Sequence, residues 1–301
     1  MIKDLTLYWW HIVRDATSLW IERNAFSYAG SLAFYTLFSL APTVIIAVTV
    51  IGIVLGEDAA RGQIVAQLQD TMGVEAATAI EHAVAQSRIE ESGLMPSLLG
   101  FGALLVGATT VFAQMQFSLN TIWGVTAKPS SNSLWIFLKN RILSLTVVLA
   151  FGFIMLVSLA FGIVLRALLH ATSLLPAIEA LLGGAEFLVS LAMIAALFAT
   201  IFKVLPDVVL HWKDVVVGAV VTAVLFAIGR YAIATYLAYT ATASTYGAAG
   251  SVVLVLLWVY YSSLILLYGA AFTKCYLLAR GRDIVPRNTA VLVRRELMTE
   301  E

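Results

Sequence analysis

Between Ala25 and Leu55 the chain carries no charged residue for 31 positions. About 20 apolar residues suffice to cross a bilayer as a helix, so this stretch crosses with a surplus that must tilt, bend or leave the hydrocarbon core. Pro42, near its middle, predicts a kink. A second uncharged run, Tyr231 to Thr273, is 43 residues long. That is too long for one helix, and the glycine-containing segment 244–250 is where it turns. With 61% hydrophobic and only 12% charged residues, such a chain cannot hide its apolar surface in water.

The fold class that follows is all-α and polytopic, a single transmembrane domain over residues 1–280 with a tail at 281–301. Six spans are expected, at about 25–55, 94–123, 142–165, 181–202, 215–239 and 251–273. Ahead of them, Leu5, Tyr8, Trp9, Ile12, Ala16, Leu19 and Trp20 recur at helical spacing. They predict a helix lying in the membrane interface, its tryptophans at headgroup level. Residues 56–93 hold seven acids against Arg61 and Arg88. Ile64, Leu68 and Met72, then Ala77, Ile80 and Val84, predict two short amphipathic helices in that outer loop. The start lacks the pattern of a cleavable secretory signal, so the first span is expected to serve as the targeting element.

Orientation follows from lysine and arginine. With the N-terminus inside, the inner segments hold fourteen of them and the outer segments three, with Arg230 intramembrane. This bias puts both ends in the cytoplasm. It also accounts for the basic clusters without nucleic acid, which a net charge of zero gives no reason to expect as a partner. Membrane lipids are the expected partners, and a homo-oligomer is compatible with the pattern.

Arg230 is the most informative single position, because a guanidinium in hydrocarbon is costly and faces protein, water or ligand. It follows Asp214 by 16 residues, and Glu186 precedes Lys203 by 17 on the neighbouring antiparallel span. The two are expected at similar depth. Either they pair or share an outward cavity, or Arg230 snorkels outward while Glu186 caps the start of its helix. Ser27, Ser31, Tyr35 and Ser39 form a polar stripe running into Pro42; Thr110, Gln114, Ser118 and Thr121 form another, with Gln116 and Asn120 beside it. Such stripes line a watery path or bond between close-packed helices, and the second reading is preferred. The aromatic residues Tyr231 and Tyr246 belong to an interfacial belt. Trp258 and Tyr261 lie deeper and are candidates for a bundle core or cavity wall.

Residues 27–42 (SYAGSLAFYTLFSLAP), Leu119-Asn-Thr-Ile-Trp123, Val204-Leu-Pro-Asp207 with Trp212, Tyr246-Gly-Ala-Ala-Gly-Ser251, Leu257-Trp-Val-Tyr-Tyr261 and Tyr268-Gly-Ala270 carry a resemblance. The chain resembles the YihY/BrkB family of bacterial inner-membrane proteins over about residues 20–280. The resemblance implies a six-helix inner-membrane protein, with transport and envelope functions among the roles proposed for the family. The family pattern often has a glutamate where this chain has Ala271, so no mechanism here relies on a carboxylate at the end of the last span.

Relatives have carried the label ribonuclease BN, which needs clustered metal ligands. The four histidines, His11, His82, His170 and His211, are scattered, and the expected topology divides them between the two sides. No phosphate-binding loop or nucleophile elbow is present, and the lone Cys275 excludes an internal disulfide. No enzymatic activity, cofactor or metal is expected. The leading functional expectation is a permease-like protein for a small solute or anionic lipid, its path lined by Arg230, Glu186, Tyr35, Ser31, Ser39, Pro42, Gln114, Asn120, Tyr231, Tyr246, Trp258 and Tyr261. The alternative is a non-catalytic membrane scaffold or envelope-assembly partner.

Overall fold

Residues 25–55 form one helix, as their uncharged run predicts, and it continues without a break through Pro42. The computed structural model describes residues 2–56, 62, 64–66, 69, 77–78, 81, 94–128, 176–240 and 248–293. The expected third span at 142–165, most of the outer loop and Tyr246 lie outside these residues, as do the side chains of Pro42 and Glu186. Six long helices are described: α1 (Ile2–Glu22), α2 (Ala25–Leu55), α3 (Leu94–Trp123), α4 (Pro176–Val204), α5 (Trp212–Thr240) and α6 (Ala248–Ala279). Among the described residues, three stretches are long and apolar enough to cross a membrane: Phe187–Val204, Trp212–Ile233 and Val255–Ala279. Two short strands, β1 (Val125–Ala127) and β2 (Ala290–Leu292), pair antiparallel with Thr126 opposite Val291. They mark the sheet end of the bundle.

The last helix, α6, is central and packs on α1, α2, α3 and α5, while α2 packs on α3 and α4 on α5. The contact between α5 and α6 is built from two glycine–threonine pairs. Thr273 sits on Gly218, where an added Cβ would fall 1.8 Å from its Oγ1, and Thr222 sits on Gly269 at 1.9 Å. Each hydroxyl donates to the carbonyl of the glycine one turn earlier on its own helix, at 2.6 Å in both cases. The hydroxyls are thereby satisfied, and the two backbones approach closely, the usual contact chemistry where lipid offers no hydrophobic drive between helices. Farther along α5, Gly229 admits the ring of Tyr261.

Helix α1 forms where the helical spacing of its apolar residues predicts a helix. Its apolar face is spent on α6: Ile12 and Ala16 are buried against Phe272, and Trp9 stacks on Phe272 and Tyr276 at 6.4 and 5.9 Å. Trp20 donates Nε1–H to the Leu264 carbonyl at 3.2 Å and meets Tyr268 edge-on. The contacts step back along α6 as α1 advances, so the two run in opposing directions. Asn24, at φ 54°, turns the chain from α1 into α2 in the left-handed region that asparagine tolerates. Trp10, Leu7 and Ile21 remain exposed on the other face.

Candidate functional site

The described part of the molecule gathers its polar chemistry at the sheet end. Gln116 and Asn120 stand one turn apart on α3, both buried. Pro206 follows the end of α4 and brings Asp207 beneath them. Asn120 Nδ2 donates to Asp207 Oδ2 at 2.8 Å while the Asp207 backbone N–H donates to Asn120 Oδ1 at 2.8 Å. Gln116 Nε2 adds a third bond to the same carboxylate oxygen at 3.2 Å. The carboxylate is thus fixed by amide donors; among the described residues no cation pairs with it.

Beside this cluster, α3 ends at Trp123, and Gly124 takes φ 75° to release the chain into β1. Two cations converge there. Lys274, buried on α6, donates Nζ–H to the carbonyls of Ile122 and Trp123, both at 3.0 Å. These are orphan carbonyls of a helix terminus, and an ammonium offsets their partial negative charge. The Arg23 guanidinium lies on the same wall; a Cβ added to Gly124 would sit 3.6 Å from both Arg23 Nη2 and Lys274 Nζ. Among the described residues, Arg23 has no carboxylate partner.

Beside them is a cavity of about 480 Å³, lined by the polar residues Arg23, Tyr28, Gln116, Asn120, Thr121 and Asp207 and the apolar residues Ala113, Phe117 and Val125, among others. The size is that of a small-molecule site.

The chain after α6 folds back across this end. Arg282 bonds Asp214 through Nη1 and approaches His211 Nδ1 at 3.1 Å. Asp214, buried in the first turn of α5, also accepts from the His211 backbone N–H at 2.9 Å, one half of a capping box. Val209 N–H donates to Val285 O, Arg287 N–H to Asp207 O, and Val293 N–H to Gly124 O. The strap over residues 281–293 therefore ties α3, the α4–α5 connection and α6 together.

Of the residues singled out from the sequence, the structure brings Gln116, Asn120 and Thr121 to this cavity. Ser31 and Ser39 donate to the carbonyls of Ser27 and Tyr35, four residues back, at 3.1 and 2.7 Å. Thr110, Ser118 and Thr121 do the same on α3. At these five positions the hydroxyl donates along its own helix, one turn back, a bond that needs no second helix close by. Tyr35 is exposed beside Phe34, and Gln114 is half-buried. Arg230 is half-buried with its guanidinium 5.7 Å from the exposed Tyr231 ring, 18 residues along α5 from Trp212 and so at the end away from the cavity. Glu186 lies ten residues inside α4, which begins at Pro176, so it does not cap that helix. Trp258 is buried edge-on to Phe226 at 5.5 Å. Tyr261 covers Gly229, next to Arg230. Among the described residues no group of histidine, cysteine or carboxylate side chains is arranged to hold a metal ion.

Sequence reasoning missed Asp207, Arg23 and Lys274. Their signal was present as Pro206-Asp207 after a span and as single charges at span ends, but a charge at a span end reads equally as topology.

Residues 17–290 match the family described as Virulence factor BrkB. The chain belongs to that family. Its BrkB-family relatives include proteins named UPF0761 membrane protein. That of Alteromonas mediterranea is 26% identical over 270 residues, covering 87% of each chain. Those of Kangiella koreensis and Aeromonas salmonicida are 23% and 30% identical over 252 and 179 residues, or 82% and 59% of this chain. The match spans about 59% of the length of each of these last two relatives. No solved structure matches the chain. This BrkB-family member is a membrane protein built on apolar helices. Two of the segments that carried the resemblance, 119–123 and 204–207, meet at the Asn120–Asp207 pair.

Proposed function

We propose that this chain is a non-catalytic, permease-like protein of the bacterial inner membrane that moves a small polar solute, with the sheet end facing the cytoplasm. The single observation that carries the reading is the 480 Å³ cavity between the ends of α2 and α3, whose walls hold a fixed carboxylate and a guanidinium. Oriented polar groups in a recess of this size bind solutes rather than pack a scaffold. The orientation rests on charge: Arg23, Lys128, Lys203, Lys274, Arg282 and Arg287 all stand at the sheet end or on the strap, in agreement with the positive-inside rule. In this reading, with six spans and both termini inside, Arg230 and Glu186 serve the outer part of the route.

The test is flux. Purified protein in liposomes, preloaded with a panel of small anionic, cationic and zwitterionic metabolites, should exchange at least one of them above empty-liposome rates. Asp207→Asn, which retains an amide-sized hydrogen-bonding side chain, should cut that flux about tenfold. If no solute moves, the permease reading is refuted and the scaffold reading takes its place.

A further inference from the structure

We infer that the sheet-end cavity selects zwitterions, molecules that carry a primary ammonium and an acidic group, carboxylate or phosphate, a few bonds apart. The inference rests on the reading of that cavity as the solute site. Two opposite charges line it without pairing with each other. Asp207 offers a carboxylate whose Oδ2 is held by Asn120 at 2.8 Å and Gln116 at 3.2 Å. Those amides fix its position and leave its negative charge uncompensated. Arg23, with no carboxylate partner among the described residues, supplies a free fork of donors, the geometry suited to carboxylate or phosphate.

The surroundings sharpen the polarity of the site. An anion at Arg23 lies near Gly124, just past the end of α3, where exposed helix carbonyls repel negative charge. Lys274, buried behind Gly124, occupies those carbonyls and offsets their negative charge. The anionic pole of the cavity is therefore the Arg23–Gly124 side and its cationic-ligand pole is the Asp207 side. A cavity of 480 Å³ is about 10 Å across if roughly spherical, which sets the reach between the two poles. Ala113, Phe117 and Val125 also line the cavity and furnish apolar surface fit for a short methylene linker. A ligand with only one charge satisfies one of the two protein charges and leaves the other to water, so it gains less than a ligand that meets both.

The experiment measures binding to full-length protein in detergent by isothermal titration, with β-alanine and phosphoethanolamine as zwitterions and ethanolamine and inorganic phosphate as the single-charge halves. At least one zwitterion should bind about tenfold or more tighter than either half. Asp207→Asn and Arg23→Gln should each erase that margin, while Asp207→Glu should retain part of it. A thermal melt of each variant checks folding, and the ratio of zwitterion to half-ligand affinity reads selectivity independently of the amount folded. A parallel arm in nanodiscs of phosphatidylethanolamine or phosphatidylglycerol separates sources: competition against the soluble probe by the first lipid alone assigns the site to a headgroup, and equal binding in both assigns it to a free solute. Zwitterions binding no tighter than their halves would overturn the inference, even with flux of some other solute intact. Tight zwitterion binding without any flux would uphold it and sink the transport reading.

Discussion

Replacing Gly218 or Gly269 by alanine tests whether the α5–α6 contact is as close as described. At Gly218 the new Cβ would meet Thr273 Oγ1 at 1.8 Å, its Cβ at 2.9 Å and its Cα at 3.3 Å. At Gly269 it would meet Thr222 Oγ1 at 1.9 Å, Phe202 Cζ at 2.9 Å and Thr222 Cβ at 3.0 Å. Rotating the threonine removes only the first contact, since its Cβ stays in place; and rotation breaks a 2.6 Å hydrogen bond inside a fully buried crossing. The helices must separate, so each change should cost about 3 kcal/mol, the upper part of the range for overpacking. Gly229→Ala is the graded case: its three nearest contacts are the far end of the Tyr261 ring, which can swing, and about 1 kcal/mol is expected. Gly30→Ala is the control. Nothing lies within 4 Å of its new Cβ, and the helix gains up to about 1 kcal/mol of propensity. Heating detergent-solubilised protein and reading the remaining monodisperse peak by fluorescence-detected size exclusion should place Gly218→Ala and Gly269→Ala roughly 5–10 °C below wild type, Gly229→Ala slightly below it, and Gly30→Ala level or above. If the first two melt with wild type, or if Gly30→Ala costs as much as they do, the close crossing does not exist.

Lys274→Met keeps the stem that packs on α3 but strips both Ile122 and Trp123 carbonyls of their donor; a loss of about 2–3 kcal/mol is expected in the same melt, and no loss would show the ammonium to be dispensable. Arg282→Gln releases the strap from the buried Asp214, and hydrogen exchange over residues 283–293 should quicken by about tenfold while the α5–α6 crossing stays protected; unchanged exchange would mean that the backbone bonds alone hold the strap. Asn120→Ala deletes the reciprocal pair with Asp207 and should lower stability by about 2–3 kcal/mol together with solute flux, whereas Ser31→Ala, whose hydroxyl only serves its own helix, should leave both within experimental error. A Ser31→Ala variant that abolished flux would restore the first polar stripe to the transport path.

Much of the helical plan could be read directly from the residues. Uncharged runs of spanning length leave the backbone no option in lipid but a helix, and the helices at 25–55, 94–123 and 176–204 begin or end within a few residues of the expected limits because charge, proline or glycine stands there. Family membership was legible too, from short segments in a fixed order. The interfacial reading of α1 was not decidable from its pattern: an apolar face at helical spacing fits lipid and a neighbouring helix equally, and only tertiary packing assigned it to Phe272, Tyr276 and Leu264. Likewise a serine stripe cannot announce whether its hydroxyls face a partner helix or their own carbonyls. The two Gly-x-x-x-Thr spacings of α5 and α6 were visible, yet that each threonine fills the other's glycine is a fact of antiparallel register.

The candidate site belongs to the fold most of all. Arg23, Asn120, Asp207 and Lys274 come from four separate parts of the chain, and each alone reads as an ordinary charge or amide at a helix end. What the chain chemistry determined by itself was where long apolar helices form, since apolar length is a local property that adds up along a segment. What the tertiary structure decided was which polar ends share one recess, because that depends on how α2, α3 and the α4–α5 connection converge, and no local pattern encodes a convergence.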